Sequence, residues 1–422
     1  MKKMNKLLAL TLAAAMSIGM LSGCGKKEEP APAPEKPAPS ITAEEVDLTQ
    51  ITSPAGFVTE MAPDTVVATV GGYDVTAEML MYWFNYAATY TLQQYAYMGQ
   101  ANVDWSAKME NGLTMGQTVM DSALDLAAYY ALLPGKAQDE YGLTPAQTDL
   151  DQLLKDMEAA ATELGGEEMA KYYMWMGMTD VELYEKLVAG ASLESQLQEK
   201  LFGKGGEQEP TDAELIAYAT DELGYYGAKH ILLVTVDMNK PTYNEDGSLK
   251  GFEPLDAETV AKQEALVKDL KAQLDAVADP NALFDTLMHE HSEDTGLAAY
   301  PDGYIAYKGQ MVEEFEQTAL ALNVGEISGI VESVYGYHIV MRVSLNPEEY
   351  RADYVAVQMD ELGREWLESN TVQPNEAYES IDANDALDRM FAMQEALYYE
   401  LYPEQAAAAE GAETAESTET QG

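Results

Sequence analysis

The sequence predicts an α+β fold in which a small antiparallel sheet with surrounding helices is inserted in, or flanked by, a mainly helical domain. Three observations predict it. Apolar residues recur at helical spacing behind helix-start signals over residues 76–203, strand-like apolar runs alternate with helical stretches from about 226, and helical spacing returns over 354–368 and 383–402. The composition shifts divide the chain into a signal peptide (1–23), a tether (24–59), a helical segment (60–222), the sheet-containing unit (223–345), a C-terminal segment completing the helical domain (346–403) and a disordered acidic tail (404–422).

The first element follows from Lys2, Lys3 and Lys6 ahead of an apolar stretch from Leu7 to Leu21, too short and wrongly flanked for an ordinary spanning helix. It ends in Leu21-Ser22-Gly23-Cys24, which resembles the bacterial lipobox and implies lipidation of Cys24. No other cysteine is present, so disulfides, thiolate metal clusters and a cysteine nucleophile are excluded from the folded part. The following "GKKEEPAPAPEKPAPS" cannot pack and reads as a semi-extended spacer. With 24 Lys+Arg against 73 Asp+Glu, the net charge of −49 repels phosphate backbones and argues against nucleic-acid binding. The 47% hydrophobic content over 422 residues supplies cores for two or three domains.

The helical segment opens with "TVVATVGGYDVTAEML", a short strand, a Gly-Gly turn and a helix start. Capping boxes at Thr144-Pro145-Ala146-Gln147, Thr179-Asp180-Val181-Glu182 and Thr211-Asp212-Ala213-Glu214 mark further starts. The aromatic run Tyr82, Trp83, Phe84, Tyr86, Tyr90, Tyr95 and Tyr97 serves either as core or as the lining of an apolar groove.

In the sheet-containing unit, "GAKHILLVTV" reads as a strand, "NEDGSLKG" as an inserted turn and Ala257 to Val277 as an amphipathic helix. Asp279-Pro280 starts another helix, and "ISGIVESVYGYHIVMRV" supplies two strands joined around Tyr335-Gly336. Beyond the unit, Val355, Met359, Leu362 and Trp366 fall on one helix face that must bury against something.

The chain has four histidines. His230 heads an apolar run, where an imidazole is either a core group bonded to backbone or a working one. His338 lies in a similar run at the other end of the same unit, and strands from the two ends of a small domain often pair at the centre of its sheet, where two imidazoles can meet. His289-Glu290-His291 offers metal-ligand types, but helix positions two apart diverge by about 200° and do not share one ion.

"AKHILL", "FDTLMHEHSEDTG", "KGQMVEEFEQTALALNVGEISGIV" and "YGYHIVMRV" stand in the order found in parvulin-type peptidyl-prolyl isomerases, a resemblance covering about residues 226–345. With the lipobox and the flanking helices, the whole chain resembles a PrsA-like extracytoplasmic foldase lipoprotein. The resemblance implies that His230, His338 and Asp294 form the catalytic group, that Met311 and Phe315 receive the substrate proline, and that Tyr335 supplies a hydroxyl. It implies no cofactor and no metal, unfolded or newly secreted polypeptides with X-Pro bonds as partners, and attachment to the outer face of the cell membrane through Cys24. Where relatives often carry a Gly-Asp-Leu-Gly turn, this sequence has Pro301-Asp302-Gly303-Tyr304, so one rim of the pocket differs. The alternative is a non-catalytic holdase, its helical segments binding clients around a scaffold parvulin-like domain.

Overall fold

The computed structural model describes residues 39–100, 103–163, 169–178 and 181–402. The signal peptide, Cys24, the acidic tail from 404 and the Thr179-Asp180 capping pair lie outside the described residues. The chain divides into two compact units, one of residues up to Glu209 together with those from Ala356, the other of Pro210–Val355.

In the first unit, α1 (Pro54–Thr59) is followed by strands β1 (Val66–Val70) and β2 (Tyr73–Thr76), which pair antiparallel about the Gly71-Gly72 turn. The stretch read as strand, turn and helix start therefore holds a second strand before the helix. Helices α2 (Ala77–Tyr97), α3 (Met115–Tyr141), α4 (Gln147–Glu163), α5 (Met169–Trp175) and α6 (Val181–Phe202) follow. The chain returns to this unit within α11 (Arg351–Ser369), adds the two-residue strand β9 (Gln373–Pro374) antiparallel to β1, and ends with α12 (Glu376–Glu379) and α13 (Ala383–Leu401). Trp366 of α11 is buried and stacks on Tyr129 of α3 at 6.2 Å. The aromatic run of α2 divides by residue: Trp83 and Phe84 are buried, whereas Tyr86 and Tyr97 are exposed.

The tether expected to reach residue 59 gives way to folded chain well before it. Asp47 caps a 3-10 turn at Leu48–Gln50, Ser53 caps α1 with Pro54 at its first position, and Ala55 and Val58 are buried, because Ser-Pro is a helix start and "AGFV" an apolar surface. The helix expected to start behind Thr144 begins later than that residue suggested. α4 begins at Gln147, and the Ala146 N–H just before it donates to Ser192 Oγ of another helix at 3.1 Å.

The second unit begins at α7 (Asp212–Ala217), whose Thr211–Glu214 capping box is complete. A strand β3 (Tyr225–Val234) leads into the hairpin β4 (Val236–Tyr243) and β5 (Leu249–Pro254), so "NEDGSLKG" is the tip of a two-stranded ribbon rather than a loop alone. Then come α8 (Ala257–Asp275), α9 (Asn281–His291), β6 (Tyr304–Tyr307), α10 (Glu313–Ala321), β7 (Ile327–Ser333) and β8 (Gly336–Val343). Helix α9 starts one residue past Pro280, with Asp279 accepting from Asn281 N. The unit runs from earlier than 223 to later than 345 because Ala219, Leu345 and Tyr350 form a small core that belongs to it.

The four-stranded antiparallel sheet has the order β6-β3-β8-β7. Side chains alternate across a strand, so residue parity assigns each to a face. Ile231, Leu233, Ile339 and Met341 meet Val267, Leu270 and Leu274 of α8 and Phe284, Leu287 and Met288 of α9 on one face. Tyr226, Ala228 and Val340 meet Ala306 together with Phe315 and Ala319 of α10 on the other. His230 and His338 share the parity of this second set and face α10.

Candidate active site

Register brings the two histidines together. His230 stands opposite Val340 and His338 opposite Leu232, so the imidazoles are diagonal neighbours on one face, within reach of ring side chains. Their rings lie nearly parallel with centroids 5.2 Å apart, and Nδ1 faces Nδ1 at 3.0 Å. Gly336 makes the register possible: its φ of 144° disfavours other residues, and a Cβ there would meet the Leu233 carbonyl oxygen at 2.2 Å. The hairpin turn before β8 thus sets where His338 falls.

Asp294 follows the end of α9, and its Oδ2 lies 3.0 Å from His230 Nε2. The Tyr304 hydroxyl donates to the same oxygen at 2.5 Å, and the Gly296 N–H donates to Oδ1 at 3.0 Å. Gly296 is required for that approach, since a Cβ would fall 2.0 Å from the Tyr304 hydroxyl. At the far end, Ser333 Oγ lies 2.7 Å from His338 Nε2 and accepts the Tyr335 N–H at 3.2 Å.

Electrostatics give this line of groups a direction. Burial pushes Asp294 up, but hydrogen bonds from His230, Tyr304 and the Gly296 N–H, with the adjoining imidazole, outweigh it and bring the carboxyl down to about 2. Burial, reinforced by His230, drives His338 down to about 3, against the opposing pull of Asp294. Asp294, ionised, can only accept, so the His230 Nε2–H donates to its Oδ2. The line of hydrogen bonds runs on from His230 Nδ1 to His338 Nδ1 and from His338 Nε2 to Ser333 Oγ. His338 is 2% exposed, so the network is fixed within the fold rather than by solvent.

A cleft of about 420 Å³ opens over this network, a size suited to a small group or a short side chain cluster. His230, His338, Asp294, Met311, Phe315 and Tyr335 all line it, so the structure brings these sequence-expected residues to one place. Phe315 is buried, its ring edge-on to His230 at 5.1 Å, and Met311 packs beside it. Tyr335 leans on Phe252 of the β4–β5 hairpin with centroids 5.4 Å apart. Cys24 lies outside the described residues.

Sequence reasoning missed Tyr304 and Ser333. Tyr304 stands opposite Ala228 and two residues from Ala306 on the same face, a placement set by the pairing of β6 with β3. Ser333 carried no signal: a serine ending a strand before a turn is ordinary.

Residues 249–344 match the Rotamase family, described as the PPIC-type PPIase domain. The α+β unit therefore carries a parvulin-type peptidyl-prolyl isomerase domain. The match includes Asp294, Met311, Phe315, Tyr335 and His338 but starts after β3, so His230 joins the group through the sheet register. The relatives narrow the likeness further. The chain is 41% identical over 83 residues to Foldase protein PrsA of Geobacillus kaustophilus, covering 19% of this chain and 28% of that protein. It is 39% identical over 105 residues to a Parvulin-like PPIase of Rickettsia bellii, covering 24% and 36%. The chain thus spans about a third or less of the length of these curated relatives. Among solved structures, the peptidylprolyl isomerase PrsA from Bacillus cereus aligns over 66% of this chain and 96% of its own, at 16% identity and a TM-score of 0.27.

Proposed function

We propose that this protein is an extracytoplasmic foldase whose α+β unit catalyses cis–trans isomerisation of X-Pro bonds in unfolded or newly secreted polypeptides. The observation that carries the proposal is the unbroken hydrogen-bond line from Ser333 through His338 and His230 to Asp294, along the wall of a cleft lined by Phe315 and Met311. Rotation about an X-Pro bond meets a barrier of about 18–20 kcal/mol from amide resonance. No covalent intermediate is needed to lower it. The planar amide is the more polar state, so an apolar socket that holds the ring and sheds water favours the twisted state. Met adapts to a saturated ring, and Phe presents a flat wall to it. In this reading His230, His338 and Asp294 hold a preorganised dipole beside the rotating bond, and the low value of His338 keeps its imidazole neutral at ordinary pH.

The anchoring belongs to the same proposal. Cys24 follows a signal peptide and precedes a spacer, so lipid on its thiol would hold the protein at the outer face of the cytoplasmic membrane. Among the described residues no helix is long and apolar enough to cross a membrane. A Cys24→Ala variant is expected to lose incorporation of labelled lipid, and incorporation that persists refutes the anchor.

The isomerase assignment is tested on a proline peptide in a protease-coupled assay with the full chain. Turnover well above the spontaneous rate is expected. A holdase with a scaffold unit predicts none, together with undiminished suppression of aggregation of a denatured protein.

A further inference from the structure

The charged side chains lining the cleft besides the histidines are Glu293 and Asp294, and no Lys or Arg lines it among the described residues. Asp294 is spent on the network, both of its oxygens accepting hydrogen bonds from His230, Tyr304 and Gly296. Glu293 is different. Its backbone N–H donates to the Leu232 carbonyl at 2.8 Å, and its Oε2 accepts the Val234 N–H at 2.6 Å and Gln263 Nε2 at 2.8 Å. These bonds pin the residue along β3, yet the side chain is exposed and Oε1 takes no hydrogen bond among the described residues. A carboxylate is thereby held in place in the lining of the cleft, with one oxygen bonded and the other without a hydrogen bond among the described residues. Lys240, on the β4–β5 hairpin whose Met238 also lines the cleft, is already paired with Asp237 and Glu253 and does not neutralise it.

We infer that Glu293 is a specificity-determining residue that favours a cationic side chain next to the substrate proline and disfavours an acidic or phosphorylated one. This rests on the isomerase reading of the same cleft. A pinned carboxylate has already lost its rotamer freedom, so pairing with a lysine costs less ordering than an ordinary surface pair does. Because the site is open to water, the effect is modest and salt-sensitive.

The bland alternative is that Glu293 only satisfies the Val234 N–H at the end of β3. Glu293→Gln separates the two, since the amide oxygen still accepts that bond while the charge is gone. The test measures kcat/KM by exchange NMR for peptides differing only in Lys, Ala or Glu beside the proline, with full-length wild type and Glu293→Gln, at about 0.01 M and about 1 M salt. At low salt the Lys-to-Glu ratio should be roughly two- to fivefold higher in wild type than in the variant, and the gap should close at high salt. A ratio equal in the two proteins overturns the inference, as does a gap that survives high salt. If the variant slows all peptides by one factor, Glu293 is structural. If wild type turns over the Ala peptide with no difference in ratio, this inference alone fails; if it turns over none, the isomerase reading fails and this inference falls with it.

Discussion

Asp294 in the α+β unit and Asp125 in the helical unit are both partly buried carboxylates, and burial loses at one and wins at the other. Asp294 receives an imidazole N–H, a phenol O–H and a backbone N–H, which bring it down to about 2 in spite of burial. Asp125 has burial and the neighbouring Asp121 pushing it up to about 6, and no hydrogen bond offsets them among the described residues. Glu194, between α3 and α6, is raised by burial even with Tyr130 donating to it at 2.8 Å and Tyr129 at 3.4 Å. The difference teaches where the chain invests donors. In the α+β unit they converge on one carboxylate to keep it charged and fixed, the arrangement a preorganised site requires. In the helical unit, acids are buried where packing leaves them.

The comparison is broken most severely by emptying one core. Phe284, fully buried between α9 and the sheet, should cost the α+β unit about 3–5 kcal/mol when replaced by alanine. Hydrogen exchange on the intact chain should then show lost protection in β3 and β8 with protection in α3 retained. Equal loss in both would mean the two units unfold as one.

Acid sharpens the comparison because the two signs are opposite. His338 is held at about 3, below its ordinary 6.5, so the unfolded chain binds the proton first and the α+β unit loses stability as pH falls from about 6.5 towards 3. Asp294 adds a loss from 3.8 down to about 2. Asp125 is raised to about 6, so the folded helical unit binds a proton that the unfolded chain releases, and this group adds stability as pH falls from 6 to about 4. Exchange followed from pH 7 to pH 4, corrected for intrinsic rates, should show protection in β8 declining by on the order of a few kcal/mol relative to α3. Parallel decline in both would contradict the assigned charge states.

A smaller effect is expected at the rim. Tyr304→Phe removes one donor to a charged oxygen, worth roughly 1.5–3 kcal/mol at most and less where water substitutes. Turnover should fall about three- to tenfold, and the acid limb of the pH–rate profile should move up as Asp294 regains its usual range. A profile unchanged in position would show that Tyr304 only shapes the rim.

The meeting of His230 and His338 was legible, although they stand 108 residues apart, because each lies in a strand-like apolar run and strands from the two ends of a small domain often pair. Helices α11 and α13 were legible from apolar residues at helical spacing, whereas α9 starts one residue later than Asp279-Pro280 suggested. What escaped depended on atoms distant in sequence. Ser192 reaches across from α6 to accept the Ala146 N–H at the start of α4. Arg389 of α13 pairs with Glu60 at 2.8 Å and donates to the Phe57 carbonyl at 3.4 Å, drawing Phe57, expected in the tether, into the helical unit. Tyr304 looked like a departure at a turn, and its use as a donor to Asp294 depends on the space left by Gly296.

The central claim is that the hydrogen-bonded histidine pair and Asp294 act on the bound amide. It is tested most directly by exchange NMR on one X-Pro peptide with wild type, His338→Ala and Asp294→Ala at matched folded fractions. His338→Ala leaves His230 Nδ1 without its hydrogen-bond partner, so some stability is lost and the folded fraction must be fixed by hydrogen exchange in β3. The account predicts strong exchange cross-peaks with wild type and rates lowered on the order of 10²-fold in each variant. Rates equal to wild type in both folded variants would contradict it.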